Sequence, residues 1–159
     1  MKTTEIRIIV YEYSAIEELS SKDRQLLLEA RKITKLAYAP YSGYHVGAAV
    51  LLGNGRIVTG NNQENSAYPS GLCAERVTLF YANANYPDAN VEAIAISAAK
   101  DGQLISETAK PCGGCRQALA EAESRFGKPI RIILDGGQTI MVLQGIESLL
   151  PLSFSKKDL

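Results

Sequence analysis

The sequence predicts a layered α/β domain built on a mixed sheet, and three observations carry that prediction. Apolar runs of strand length alternate along the chain with segments whose apolar residues recur at helical spacing. An Asn54-Gly55 pair stands between two strand-like runs, which signals a hairpin, so the sheet is not purely parallel. Finally, 159 residues with 46% hydrophobic and 21% charged side chains suit one domain with a real core.

The elements follow in order. Ile6, Ile8 and Val10 point one way and Glu5 and Arg7 the other, the alternation of a strand at an edge or an interface. Ser20 or Ser21 can cap a helix that carries Leu26, Leu27, Ala30, Ile33, Leu36 and Ala37 and stops before Pro40. Strands over 45–52 and 56–60 flank the turn Gly53-Asn54-Gly55. A second helix starts near Cys73 and runs through Val77, Phe80 and Tyr81, and 91–98 reads as a buried strand. The helix that begins at about Cys112 carries Leu119, Ala122 and Phe126. Two further strands, 131–134 and 139–143, are separated by a Gly136-Gly137 turn, and a short helix over 147–150 precedes Pro151. There is no internal repeat, low-complexity tract or linker, so residues 1–159 read as one domain.

Charge and cysteine usage narrow the function. Lysine and arginine number 17, and so do aspartate and glutamate. That balance argues against a nucleic-acid ligand, because a phosphate backbone calls for a basic surplus or stripe. No apolar run approaches the roughly 20 residues of a membrane span. The first residues, MKTTEIRIIVYEY, place charges within the apolar stretch and offer no small-residue cleavage site, so no membrane association and a cytoplasmic setting are expected. In that reducing setting the three cysteines are free thiols, metal ligands or catalytic groups.

All three cysteines fall at predicted helix starts: Cys73 ahead of Ala74-Glu75-Arg76, and Cys112-Gly-Gly-Cys115 behind Pro111. A helix N-terminus presents unpaired N–H groups and partial positive charge, which favour the thiolate, the form that binds metal. Three thiolates with one open position match a catalytic zinc site, whereas a structural zinc has its positions filled by protein. Other readings stand beside this one. Cys112 and Cys115 alone fit a redox pair, Glu75 fits a carboxylate favoured in a first helical turn, and Arg76 fits an ordinary surface charge. A fourth protein ligand could only be His45, which reads better as a solvated or hydrogen-bonded residue.

The surrounding motifs carry a resemblance. Cys73-Ala-Glu75 followed by Pro111-Cys-x-x-Cys115 is similar to the signature of the zinc nucleobase deaminases. Together with Ala39-Pro-Tyr-Ser, Val46-Gly-Ala-Ala, Asn62-Gln-Glu-Asn65, Tyr68-Pro-Ser-Gly-Leu-Cys-Ala-Glu-Arg76 and Arg116-Gln117, it resembles the small homotetrameric cytidine deaminases. The resemblance runs from about Ser21 onward, with residues 1–20 outside it.

What the resemblance implies is specific. The fold would be a three-layer α/β/α sandwich with a central sheet of about five strands, to which the N-terminal strand read above is an addition outside the resemblance. One zinc ion per subunit would be held by Cys73, Cys112 and Cys115, with Glu75 as the catalytic proton carrier of a hydrolytic deamination. Three thiolates leave a divalent zinc with net negative charge, and Arg76 would offset it by hydrogen-bonding a sulfur. Asn62 and Glu64 would bind the ribose hydroxyls. A carboxylate accepts from a hydroxyl but repels a phosphate, so Glu64 also favours nucleosides over nucleotides. Tyr44 stands where a phenylalanine is usual and would stack on the base, with Ala74 among the substrate contacts. Tyr68 and Phe154 would reach a neighbouring subunit's site. Lys110 replaces a usually small residue whose carbonyl receives the leaving amine. The expected reaction takes cytidine and 2′-deoxycytidine to uridine and 2′-deoxyuridine, a pyrimidine-salvage step. Deamination of a nucleoside antibiotic, nucleic-acid editing, a zinc protein without catalysis and a thiol-disulfide oxidoreductase are the competing readings.

Overall fold

The computed structural model describes residues 1–159. In chain order its elements are β1 (Tyr11–Tyr13), α1 (Ser21–Ile33), β2 (Tyr44–Leu52), β3 (Ile57–Asn61), α2 (Ala74–Asn85), β4 (Val91–Lys100), β5 (Gln103–Leu104), α3 (Gly113–Phe126), β6 (Arg131–Gly136) and β7 (Thr139–Gln144). Along the central strands the two faces differ. Ala49, Leu51, Ala93, Ala95 and Ile133 face one layer, while Val50, Leu52, Ile94, Ile96, Ile132 and Leu134 face the other. The first face takes Leu26, Leu27 and Ala30 of α1. The second takes Leu79 and Ala82 of α2 with Leu119 and Ala122 of α3. The result is the expected α/β/α sandwich.

The sheet runs β1-β7-β6-β4-β2-β3, with the two-residue β5 paired beside β4. Only β4 and β6 are parallel, joined by the crossover through α3. The five expected strands are therefore β2, β3, β4, β6 and β7, and the extra N-terminal strand is present at the β7 edge. Its position needs correction: pairing covers Tyr11–Tyr13, not Ile6 to Val10. The hairpin turns as predicted, though only Gly55 takes a positive φ (81°), with its N–H donating to the Leu52 carbonyl at 2.8 Å. The α1 helix ends at Ile33 and tightens into a 3₁₀ turn over Thr34–Leu36, so Leu36 is exposed rather than on the buried stripe. The predicted terminal helix is a single 3₁₀ turn, Ile146–Ser148. No helix is long and apolar enough to cross a membrane.

Polar groups pin α1 to its face. Ser20 caps the helix by accepting from the Asp23 N–H at 3.2 Å. Arg31 donates from Nε and Nη2 to the two carboxylate oxygens of buried Asp135, at 2.8 and 2.7 Å, and Ser97 Oγ donates to Asp135 at 2.7 Å. The sheet then approaches α1 so closely that only glycine fits at position 47. A Cβ there would stand 2.2 Å from the Ala30 carbonyl oxygen and 2.9 Å from the Thr34 nitrogen. Gly47→Ala is accordingly expected to cost about 2–3 kcal/mol by forcing backbone apart. Thermal unfolding measures this, and an unchanged melting temperature would contradict the close approach.

Candidate active site

Two helix N-termini converge at one end of the sheet. Cys73 is the N-cap residue of α2 and Cys112 that of α3, and neither side chain caps its own helix. Cys115 follows one turn into α3 and is buried. Their sulfurs cluster: Cys73 to Cys112 is 3.7 Å, Cys112 to Cys115 is 3.5 Å, and all three lie within 4.8 Å of one another. Zinc–thiolate bonds of about 2.3 Å in tetrahedral array give sulfur–sulfur edges of about 3.8 Å. The cluster therefore fits zinc closely, with one position left open on the cleft side, where Cys73 and Cys112 are exposed to a shared cavity. His45 is not in the group.

Electrostatics agree with the geometry. Hydrogen bonds from the Cys115 and Cys112 thiols, with Arg76 beside them, hold the Cys73 thiol down to about 5. The hydrogen bond to Cys73, burial and the Glu75 carboxylate push the Cys115 thiol up. Arg76 Nε is buried and bonded to no oxygen or nitrogen, facing the thiols. An orphaned guanidinium N–H in that place suits sulfur that carries negative charge. The three thiols thus read as a metal site rather than as a redox pair with a bystander.

The cluster opens into a cleft of about 670 Å³, in the range of a small-molecule site. Glu75, in the first turn of α2, is only 5% exposed, and what is exposed lines this cleft. Burial raises its carboxyl above the usual range, and the neighbouring Cys73 adds to the effect. Tyr44 forms part of the wall, half-buried, its phenol raised by burial and by Glu75. Ile96 and Ala109 add apolar surface, and Lys110 also lines the cleft.

The outer rim comes from the segment 61–65 and the loop 41–42. Glu64 accepts from the Tyr41 N–H at 2.9 Å, the Ser42 N–H at 3.3 Å and the Ser42 hydroxyl at 2.5 Å. Those bonds hold its carboxyl below the usual range. Asn62 is more deeply engaged: its side-chain oxygen accepts from the Val46 N–H at 2.7 Å and its amide donates to the Tyr44 carbonyl at 2.9 Å. One N–H and one lone pair of that amide remain for a ligand. Tyr41 and Ser42, which the sequence reading left without a role, are what the rim is tied with; their signal was the Ala39-Pro-Tyr-Ser motif itself.

Of three further expected residues, two stand outside the cleft lining and one at its mouth. Ala74 is fully buried and its carbonyl accepts from the Thr78 hydroxyl at 2.7 Å. Tyr68 is 77% exposed at the cleft mouth, edge-on to Tyr41 with ring centroids 6.3 Å apart. Phe154 is 60% exposed and lies outside this chain's cleft. Its carbonyl accepts from Gln117 at 2.9 Å. Next to that contact, Arg116 donates to the Pro111 carbonyl at 2.9 Å and to the Leu149 carbonyl at 2.7 Å, bracing the turn that presents Cys112.

Known proteins match this arrangement. Residues 20–127 match the cytidine and deoxycytidylate deaminase zinc-binding region. A cytidine deaminase of Sporosarcina psychrophila is 36% identical over 135 residues, covering 85% of this chain and 93% of that one. One from Halalkalibacterium halodurans is 41% identical over 100 residues, 62% of this chain and 71% of the relative. Among solved structures, the cytidine deaminase of Burkholderia pseudomallei superposes with a TM-score of 0.71 at 31% identity, over 86% of this chain and all of that one. The matched region contains the three thiols, Glu75 and the whole cleft wall, so the chain belongs to the family of zinc-dependent cytidine and deoxycytidylate deaminases.

Proposed function

We propose that the protein hydrolyses the C4 amine of cytidine and 2′-deoxycytidine, releasing ammonia and leaving uridine and 2′-deoxyuridine for pyrimidine salvage. The observation that carries this is a buried carboxyl, Glu75, beside a three-thiol cluster at the floor of a cleft whose rim holds a second carboxylate, Glu64. Zinc bound by the thiols supplies Lewis acidity that brings the pKa of water to about 7. Glu75 takes the proton of the attacking water, delivers it to ring N3 and passes a proton to the departing amine. Its raised affinity for a proton suits a group that must both accept and give one. Arg76 offsets the thiolate charge. Tyr44 stacks on the base, and the free N–H of Asn62 with the Glu64 carboxylate receives the sugar hydroxyls.

Glu64 decides between substrate classes. Its carboxylate at the sugar end repels a phosphate, so free nucleosides are favoured over nucleotides and nucleic acid. Exposure of Tyr68 and Phe154 supports a homotetramer in which these rings complete a neighbour's site. The test is ammonia release from cytidine, deoxycytidine, CMP and adenosine, with zinc counted on the same sample. Turnover of the two cytosine nucleosides alone is expected; turnover of CMP at a similar rate would overturn the assignment. Glu64→Gln should lower kcat/KM by about tenfold through KM, the worth of one charged hydrogen bond, and leave zinc content unchanged.

A further inference from the structure

Residues 5–8 alternate polar and apolar as a strand does, residues 8–10 are apolar throughout, and the segment pairs with no strand of the chain. β1 is the last strand of the sheet, so one of its edges is open. Continuing its register with β7 from Tyr11↔Val142 sets Ile9 against Gln144, where β7 ends. Everything before Ile9 overruns the sheet. That overrun is apolar: Ile6, Ile8, Ile9, Val10 and Tyr11 are 52, 48, 65, 40 and 55% exposed. β-branched residues with unpaired backbone are a template for another strand.

The strand this template fits is its own copy. Take two copies antiparallel about a two-fold axis between Ile9 and Val10. Ile9 then faces Val10 of the second copy, Ile8 faces Tyr11, and Arg7 faces Glu12, each pair occurring twice. Shifting by one residue either way sets an isoleucine against Glu12 and Arg7 against a tyrosine. Within one copy Arg7 meets only Glu5, at 3.3 Å with side chains 83 and 73% exposed, a contact too solvated to compete. We infer that residues 5–12 join two copies of this chain edge to edge, so that β7-β1 of one continues into β1-β7 of the other.

Charge exchange tests the register. Arg7→Glu and Glu12→Arg each place like charges opposite one another at both ends of the ribbon. Each should raise the dissociation constant of this step at least about tenfold, and the double exchange should restore it. Sedimentation over a concentration series reads the step, and deletion of residues 2–10 should abolish it with circular dichroism and zinc content unchanged. Assembly through other faces appears equally in all these proteins and does not mask the result. The inference fails if the deletion associates like the full chain, or if the single variants weaken association and the double exchange does not recover it.

Discussion

Glu75→Gln is expected to keep its zinc and lose kcat by about 10²–10⁴-fold, the contribution of a positioned acid–base group. The amide matches the carboxyl in shape, and its oxygen can still accept from the residue's own backbone N–H as the carboxylate does, so the fold should tolerate the change. Stability should if anything rise. Burial lifts the folded-state affinity of Glu75 for a proton above its unfolded value, so near neutral pH the ionised form opposes folding, and a neutral amide removes that penalty. Three readings on one sample decide the matter: kcat, zinc by mass spectrometry and melting temperature. More than about a tenth of wild-type turnover would remove Glu75 from the chemistry.

Cys115→Ala is the second large effect. Its thiol is 1% exposed in the first turn of α3, with sulfur neighbours on one side and core on the other. Structural zinc sites are worth about 10 kcal/mol or more and thiolates supply much of it, so losing one of the three thiolates here should weaken zinc at least about 100-fold. Competition with a chelating dye measures that loss, and activity should fall with it unless excess zinc is supplied. The outcome also separates a metal site from a dithiol. A thiol-disulfide enzyme would hold no stoichiometric zinc before the substitution and would form a reversible Cys112–Cys115 bond.

What the sequence made legible was local. Helix starts at Cys73 and Cys112 could be read because apolar periodicity acts within a few residues, and the turn at Gly55 because one backbone angle demands glycine. The elements that moved were decided at a distance. The N-terminal strand forms where β7 offers it a partner, over Tyr11–Tyr13, although the stronger alternation lies earlier. α1 stops at Ile33, just where the chain must pass over Gly47, which no helical pattern reveals. At the site, residue types disclosed the thiols and Glu75. They did not disclose that Asn62 spends half of its amide bracing Tyr44 and Val46, or that Glu64 is itself held by the loop at Tyr41 and Ser42.

The bracing of the Cys112 turn has a consequence for the order in which the molecule matures. Arg116 grips Pro111 on one side and Leu149 on the other, and Gln117 holds Phe154. During synthesis the three thiols leave the ribosome well before Leu149 and Phe154 do. The turn gains its brace when Leu149 and Phe154 dock along α3, so residues made after the thiols complete a centre whose ligands precede them in the chain.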